Sequence, residues 1–394
     1  MYHFFANFAR FVANCGKILL MKRCYTAQAE DKIGTKAYPQ IIEQLSENGE
    51  LIKPVLVIFS SDNANFGWYS RMLSNSFPEA TVIGTTSNVM YSPDGVIRTG
   101  LNVMAITSGI TVSPGIIFEI SRYPKRSTDA IVSALQNIEH DNTVCLEFNA
   151  SVGNCEELVM DTFREMMEDT GIPLCGCTAA AAVNPDRPSS VSLNGILYMD
   201  ACVFALVHNE NGRIGIVKEN MFSPTKHFFT ATDVDCDARK VYEFDHKTAT
   251  SVVASAMQIP EEELGINSFY HPVGRMVDGD LSIISVQGLN PDGSMGFFSR
   301  IYNQTRVFLL DPIDPLEDVW EDTSGRVHSD IPDPSFAFVI NCFLRTKYFM
   351  ETGKMMDYND TLARDYKTYI GVSGYGEQHD YKHLNQTMLI LYFE

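Results

Sequence analysis

The chain has 394 residues, 45% of them hydrophobic, and a formal net charge of −19. That length exceeds one small core and predicts two or three lobes, while the acidity and the lack of any basic run exclude nucleic acid and disfavour anionic membrane surfaces. Nine cysteines, an odd number with Cys145, Cys175, Cys202 and Cys342 inside apolar runs, argue against a disulfide framework and for a reducing compartment, so a cytoplasmic location is expected.

Residues 1–20 hold Phe4, Phe5, Phe8 and Phe11 broken by Arg10 and Lys17. They are too short and too charged to span a bilayer, and no small-residue cleavage site follows. Residues 1–30 therefore read as an N-terminal extension, with Met21 as a second candidate start. A helix is expected over 33–48, from Tyr38, Ile41, Ile42 and Leu45 at helical spacing. A strand over 55–60 follows, then a helix over 66–77 stopped by Pro78, then a strand ending Val82, Ile83, Gly84, Thr85, Thr86, with a further strand at 101–106.

The same order returns downstream. A helix over 128–138 leads to a strand over 144–149 and a helix over 155–169 with Glu156 and Glu157 in its first turn, where the helix dipole favours negative charge. Next come a strand ending Leu174, Cys175, Gly176, Cys177, Thr178, a loop over 184–190, and strands between 193 and 217. From about residue 222 strand-like pieces alternate with turns, interrupted by one short helix over 249–257. The acidic, proline-rich tract 311–334 carries helical signal only at 317–320 and reads as a connection. A third copy then begins with a strand over 336–342, a more polar helix, a strand ending Gly371, Val372, Ser373, Gly374, and a last strand over 388–393.

Strand, crossover helix and returning strand build a parallel, buried sheet. Three copies predict an α/β protein of repeated strand-helix-strand lobes, with largely parallel or mixed sheets and a strand-rich central section. Such sheets bind ligands at the carboxyl ends of their strands. Each Gly closing a second strand is expected to turn the chain with positive φ and to admit a ligand to the main chain, although a tight structural turn explains it as well. Gly84, Thr85 and Thr86, and likewise Gly176, Cys177 and Thr178, are thus candidate binding residues through amides and hydroxyls.

Near the C-terminus, Tyr375, Gly376, Glu377, Asn385 and Thr387 bring together a phenol, a carboxylate, an amide and a hydroxyl, a set suited to the ammonium and polar groups of an amino acid. The alternative is a polar turn that caps the sheet. Arg345 reads as a carboxylate clamp or as an ion-pair partner of Glu377 or Asp380. His271, before Pro272, is a candidate haem ligand, with a surface or hydrogen-bonded histidine as the alternative. His379 and His383 do not complete a zinc site, and no metal site is assigned. Cys177 and Cys342 are conceivable nucleophiles, but neither comes with a recognisable His and carboxylate, so no catalytic residue is assigned.

Three phrases, Cys342, Phe343, Leu344, Arg345, then 371–377, then Asn385, Gln386, Thr387, resemble the FIST family of sensory proteins. The 77–84 phrase, Gly171, Ile172, Pro173 with Gly176, and the 231–245 and 270–274 stretches agree with it. The chain departs from the pattern at 179–182, where a more glycine-containing, hydrophilic loop is expected. The resemblance implies a FIST N-type domain over 31–220 with two repeats and a FIST C-type domain over 221–394. It implies a non-enzymatic sensory module that binds an amino acid or related metabolite and no obligatory cofactor. Its output would pass to a separate protein such as a histidine kinase, a cyclic-dinucleotide enzyme or a chemotaxis receptor. The alternatives are a haem-dependent gas sensor using His271 and a cysteine-nucleophile enzyme.

Overall fold

In the computed structural model each of the three copies is one run of the same elements. The first runs through strand Cys24–Ala29, helix Ala37–Gln44, strand Leu56–Ser61, helix Phe66–Ser76, strand Thr81–Thr86, the hairpin Met90–Ser92 and Gly95–Ile97, and strand Leu101–Ile106. The second repeats this with Ile110–Phe118, Thr128–Gln136, Thr143–Asn149, Glu156–Met167, Leu174–Thr178, the hairpin Val191–Leu193 and Ile196–Tyr198, and Ala201–Asn209. The third has strand Ile214–Asn220, helix Leu316–Asp330, strand Phe336–Cys342, helices Phe343–Glu351 and Met355–Asp365, strand Tyr369–Gly374, the hairpin Glu377–His379 and Lys382–Leu384, and strand Thr387–Phe393. The structure describes residues 22–31, 36–181 and 188–394. The extension up to residue 21, the start of the expected first helix and residues 184–187 of the expected loop lie outside them.

Each copy contributes one parallel pair, Leu56–Ser61 with Thr81–Thr86 and its two counterparts, flanked by antiparallel strands. The sheets are therefore mixed. The hairpins do not pair within their own copy. That of the first copy extends the third copy's sheet beside Tyr369–Gly374, that of the second extends the first copy's beside Thr81–Thr86, and that of the third extends the second copy's beside Leu174–Thr178. This cyclic exchange means that no copy completes its own six-stranded sheet.

The inner faces of the three sheets meet in one core, to which Ile58, Ile83, Leu146, Phe148, Phe338, Ile340 and Leu389 belong. Helices cover each outer face: Phe66, Tyr69 and Leu73 in the first copy, Val159, Phe163 and Met167 in the second, Phe349, Tyr358 and Leu362 in the third. Burial on both faces explains why these strands read as unbroken apolar runs rather than as alternation. Between Ile214–Asn220 and Leu316–Asp330 the chain inserts an antiparallel sheet of eight strands. It runs from Phe222–Asp235 to Arg306–Pro312, with helices Ala249–Met257 and Leu264–Tyr270 and a core of its own around Phe229, Phe244 and Leu309.

Two expectations fail for identifiable reasons. The tract 311–334 holds the fifteen-residue helix Leu316–Asp330, whose buried stripe is Leu316, Trp320, Thr323 and Val327. Its prolines flank the helix instead of interrupting it, with Pro315 directly before the first turn. Gly84, Gly176 and Gly371 lie inside strands and are absent from the residues of positive φ. A Cβ there would overlap the Phe59 ring, the Glu147 side chain and main chain, and the Tyr91 ring respectively. These glycines make room for a neighbouring side chain in the sheet rather than for a ligand.

Candidate functional site

The carboxyl ends of parallel strands from two copies open onto one cavity of about 340 Å³. After Thr143–Asn149 the second copy supplies Ser151, Asn154 and, at the start of its helix, Glu156. From the third copy come Cys342, the cap of helix Phe343–Glu351, with Phe343 and Leu344 in that helix's first turn. Tyr375 and Gly376 follow its second parallel strand, His383 belongs to its exchanged hairpin, and Asn385 directly follows that hairpin. Arg239, Gln287 and Phe298 of the inserted sheet close the remaining side. The hairpin exchange is what brings the two copies to a shared wall.

Gly376 has φ of +110°, and a Cβ there would overlap the His383 ring and lie 2.9 Å from the Leu384 carbonyl oxygen. Only glycine fits. The imidazole thus packs on the main chain, with Gln378 Nε2 at 3.1 Å from its Nδ1 and Asn385 Nδ2 at 3.5 Å from its Nε2. Burial holds His383 below the ordinary imidazole range, so the ring is neutral near pH 7. Asn385 Oδ1 accepts from Ser299 Oγ at 2.9 Å and from Ser285 N at 3.3 Å, tying the hairpin to the inserted sheet. Tyr375 donates its hydroxyl to the Ala181 carbonyl at 3.1 Å and meets Phe343 edge to face.

Charge at the cavity is held in a compact group. Arg239, with 3% of its side chain exposed, donates to Glu156 Oε2 at 2.6 Å and also pairs with Glu157, while its Nε has no partner. Phe298, Phe343 and Leu344 supply apolar wall. A concave seat with a few convergent polar groups and aromatic lining suits a small molecule, and its volume falls in the roughly 300–1,000 Å³ range of such sites. Among the described residues no group of three or more His, Cys, Asp or Glu is arranged to hold a metal ion.

Of the residues singled out in the sequence, Tyr375, Gly376 and Asn385 line this cavity. Glu377 lies behind the wall with no exposed surface, its Oε2 accepting from Thr387 Oγ1 at 2.6 Å and Thr387 N at 3.2 Å. Burial pushes its carboxyl up to about 8, so near neutral pH it is protonated and carries no charge for an ammonium group. Thr387 is spent on Glu377. Arg345 is fully buried and pairs with Glu219, beneath Phe349 and Tyr358, rather than with Glu377 or Asp380.

The strand-end candidates are likewise occupied. Thr178 N donates to the Gly376 carbonyl, and Thr178 Oγ1 accepts from Gln378. Cys177 is packed in the shared core. Thr86 N donates to the Ser190 carbonyl and Thr86 Oγ1 accepts from Ser190 N, while Gly84 and Thr85 pair with Ser192 and Val191. His271 sits on the inserted sheet's side of the molecule, with Nδ1 2.9 Å from Asp311 Oδ1. Cys342 does reach the cavity, but burial raises its thiol well above the usual range, which disfavours a reactive thiolate.

Sequence reading missed Ser151, Asn154, Arg239, Gln287, Phe298 and His383. Asn154, in the left-handed region at φ of +52°, follows a Gly and precedes a helix, a pattern visible in the sequence. Gln287 and Phe298 carry no local signal. A family model described as the FIST N domain matches residues 54–247, and one described as the FIST C domain matches residues 249–380. Their junction falls within the inserted sheet. No curated protein matches the chain.

Proposed function

Because the chain belongs to the FIST family, whose domains are associated with sensory signal transduction, we propose that it is a non-enzymatic sensor holding an amino acid or related metabolite in the cavity between the second and third copies. The observation that carries this reading is the pairing of Glu156 with Arg239 at the cavity. A zwitterion presents an acceptor to the guanidinium and a donor to the carboxylate. The wall of Phe298, Phe343 and Leu344 takes the remainder of the ligand. Output passes to a separate protein, of the kinase, cyclic-dinucleotide or chemoreceptor class.

A cytoplasmic setting fits eight free cysteines among the described residues, seven of them buried. No described helix is long and apolar enough to cross a membrane. The test is thermal unfolding against a panel of amino acids and small metabolites, since a ligand at about a hundred times its dissociation constant adds about 2.7 kcal/mol. A shift given by one compound class and lost in Gln287→Ala, an exposed residue that lines the cavity, supports the proposal; no shift with any compound removes it. One feature favours a second reading: Asp311 engages His271 Nδ1, the arrangement that orients a metal-ligating imidazole. A protein that stays colourless after haem reconstitution eliminates it.

A further inference from the structure

The three exchanged hairpins occupy equivalent places but differ in how far the chain buries their outer strands. The hairpin Glu377–His379 and Lys382–Leu384 lies against the inserted sheet, through Ser285 and Ser299 on Asn385, Asp278 on Lys382, and the Phe269 carbonyl on Gln386. The hairpin Met90–Ser92 and Gly95–Ile97 lies against helix Met355–Asp365, where Asn359 donates to the Ser92 carbonyl and Tyr358 meets Tyr91 edge to face. The third, Val191–Leu193 and Ile196–Tyr198, ends its sheet against the first copy's helix Phe66–Ser76, where a Cβ on Gly67 would meet the Leu197 side chain, yet its outer strand stays largely exposed.

The exposed surface there is apolar. Ile196 is 58% exposed and Met199 53%. Met199 directly follows the hairpin's second strand, the place Asn385 holds in the third copy, where a protein segment is already docked. Trp68 and Leu197 line the same open cleft, and Phe118 continues the patch with its ring 5.8 Å from Tyr198. Large exposed apolar residues gathered in one place mark interaction surfaces. The hairpin's outer strand is only three residues long, too short to template another sheet, so side chains rather than main-chain pairing must supply recognition.

Charge indicates what those side chains meet. The chain carries a formal charge of −19, yet Arg71 in the cleft and Arg122 and Arg126 beside Tyr123 form no ion pair with a described residue. An arginine without an ion pair beside a tryptophan and aliphatic anchors, with Arg122 and Arg126 flanking Tyr123, is the composition of a protein-binding hot spot, and the sign of these groups selects carboxylates. We propose that this face docks an acidic segment of a partner protein, its apolar residues seated on Ile196, Met199 and Trp68 and its carboxylates on Arg71 and Arg126. The face lies between the first and second copies, so it stands independently of the ligand cavity.

Fluorescence anisotropy of the full chain tests this with two labelled peptides of about seven residues, one alternating Glu and Leu, the other Lys and Leu. The Glu–Leu peptide should bind at least about tenfold more tightly than its counterpart, against the pull of the protein's net charge. Ile196→Asp with Met199→Asp, and separately Arg71→Glu, should each weaken it by at least about tenfold while leaving the thermal midpoint unchanged. Equal binding of both peptides, no binding of either, or binding indifferent to Arg71→Glu overturns the proposal. A concentration-dependent dimer abolished by the same substitutions also overturns it, by giving the face to a second copy of the chain.

Discussion

Replacing Glu377 by glutamine should make the protein more stable at neutral pH, not less. The carboxyl titrates near 8 in the folded chain against 4.5 for the free group, the shift arising from full burial. Between those values the folded state holds one proton more than the unfolded state, so stability falls by about 1.4 kcal/mol per pH unit as pH rises. The contribution is fully present below the unfolded value and gone above the folded one. From the unfolded value to neutrality the loss is about 3 kcal/mol. Glutamine has no proton to lose and keeps an oxygen for the Thr387 amide and hydroxyl. Glu377→Gln should therefore stand within about 1 kcal/mol of the native protein near pH 5 and about 3 kcal/mol above it near pH 7. Glu147, also held up to about 8 by burial and bonded to Asn149 and Cys202, keeps its own slope in both proteins and cancels in the difference. Urea titrations across this range give the two curves by linear extrapolation. A difference that does not change with pH, or a variant several kcal/mol weaker at neutrality, refutes the reasoning. The glutamate would then be ionised in the folded chain despite its burial.

Two further outcomes follow from the fold. Glu219→Gln leaves the fully buried Arg345 without its counter-charge and should cost about 3–5 kcal/mol in chemical denaturation, whereas a surface pair such as Lys125–Glu165 should be worth under about 1 kcal/mol. Cutting the chain at the junction of the two matched regions should give an N-terminal piece that is not protease-resistant alone, because it lacks the hairpin Glu377–His379 and Lys382–Leu384 that extends its second sheet. Coexpression with the remainder should restore resistance; an independently stable N-terminal piece would show the exchange to be dispensable.

Periodicity and punctuation made much of the backbone legible. Helix Ala249–Met257 and the three parallel pairs follow from apolar runs, helical spacing and Pro or Gly at the ends, which act over a few residues. The helix Leu316–Asp330 was hidden because four buried residues spread over fifteen, within an acidic tract, give a thin stripe. Tyr375, Gly376 and Asn385 were legible as site residues because a motif brought them forward. Glu377, two positions from Tyr375 in the same motif, was misplaced because Tyr375 precedes the strand Glu377–His379 and the positive φ of Gly376 turns the chain between them, so their spacing does not put both side chains on one face.

The sequence by itself determined the threefold repetition, the α/β class, the inserted strand-rich section and the family, since each is written in local conformational preference or in the order of short phrases. Only the tertiary structure decided which sheet each hairpin joins, because strand pairing is a contact between distant segments and any apolar hairpin of the right length satisfies a free edge. That choice sets two copies and the inserted sheet around one cavity. It brings Arg239, Gln287 and Phe298 to residues a hundred positions away or less in one direction and further in the other, and it buries Glu377 in a medium where its charge cannot survive.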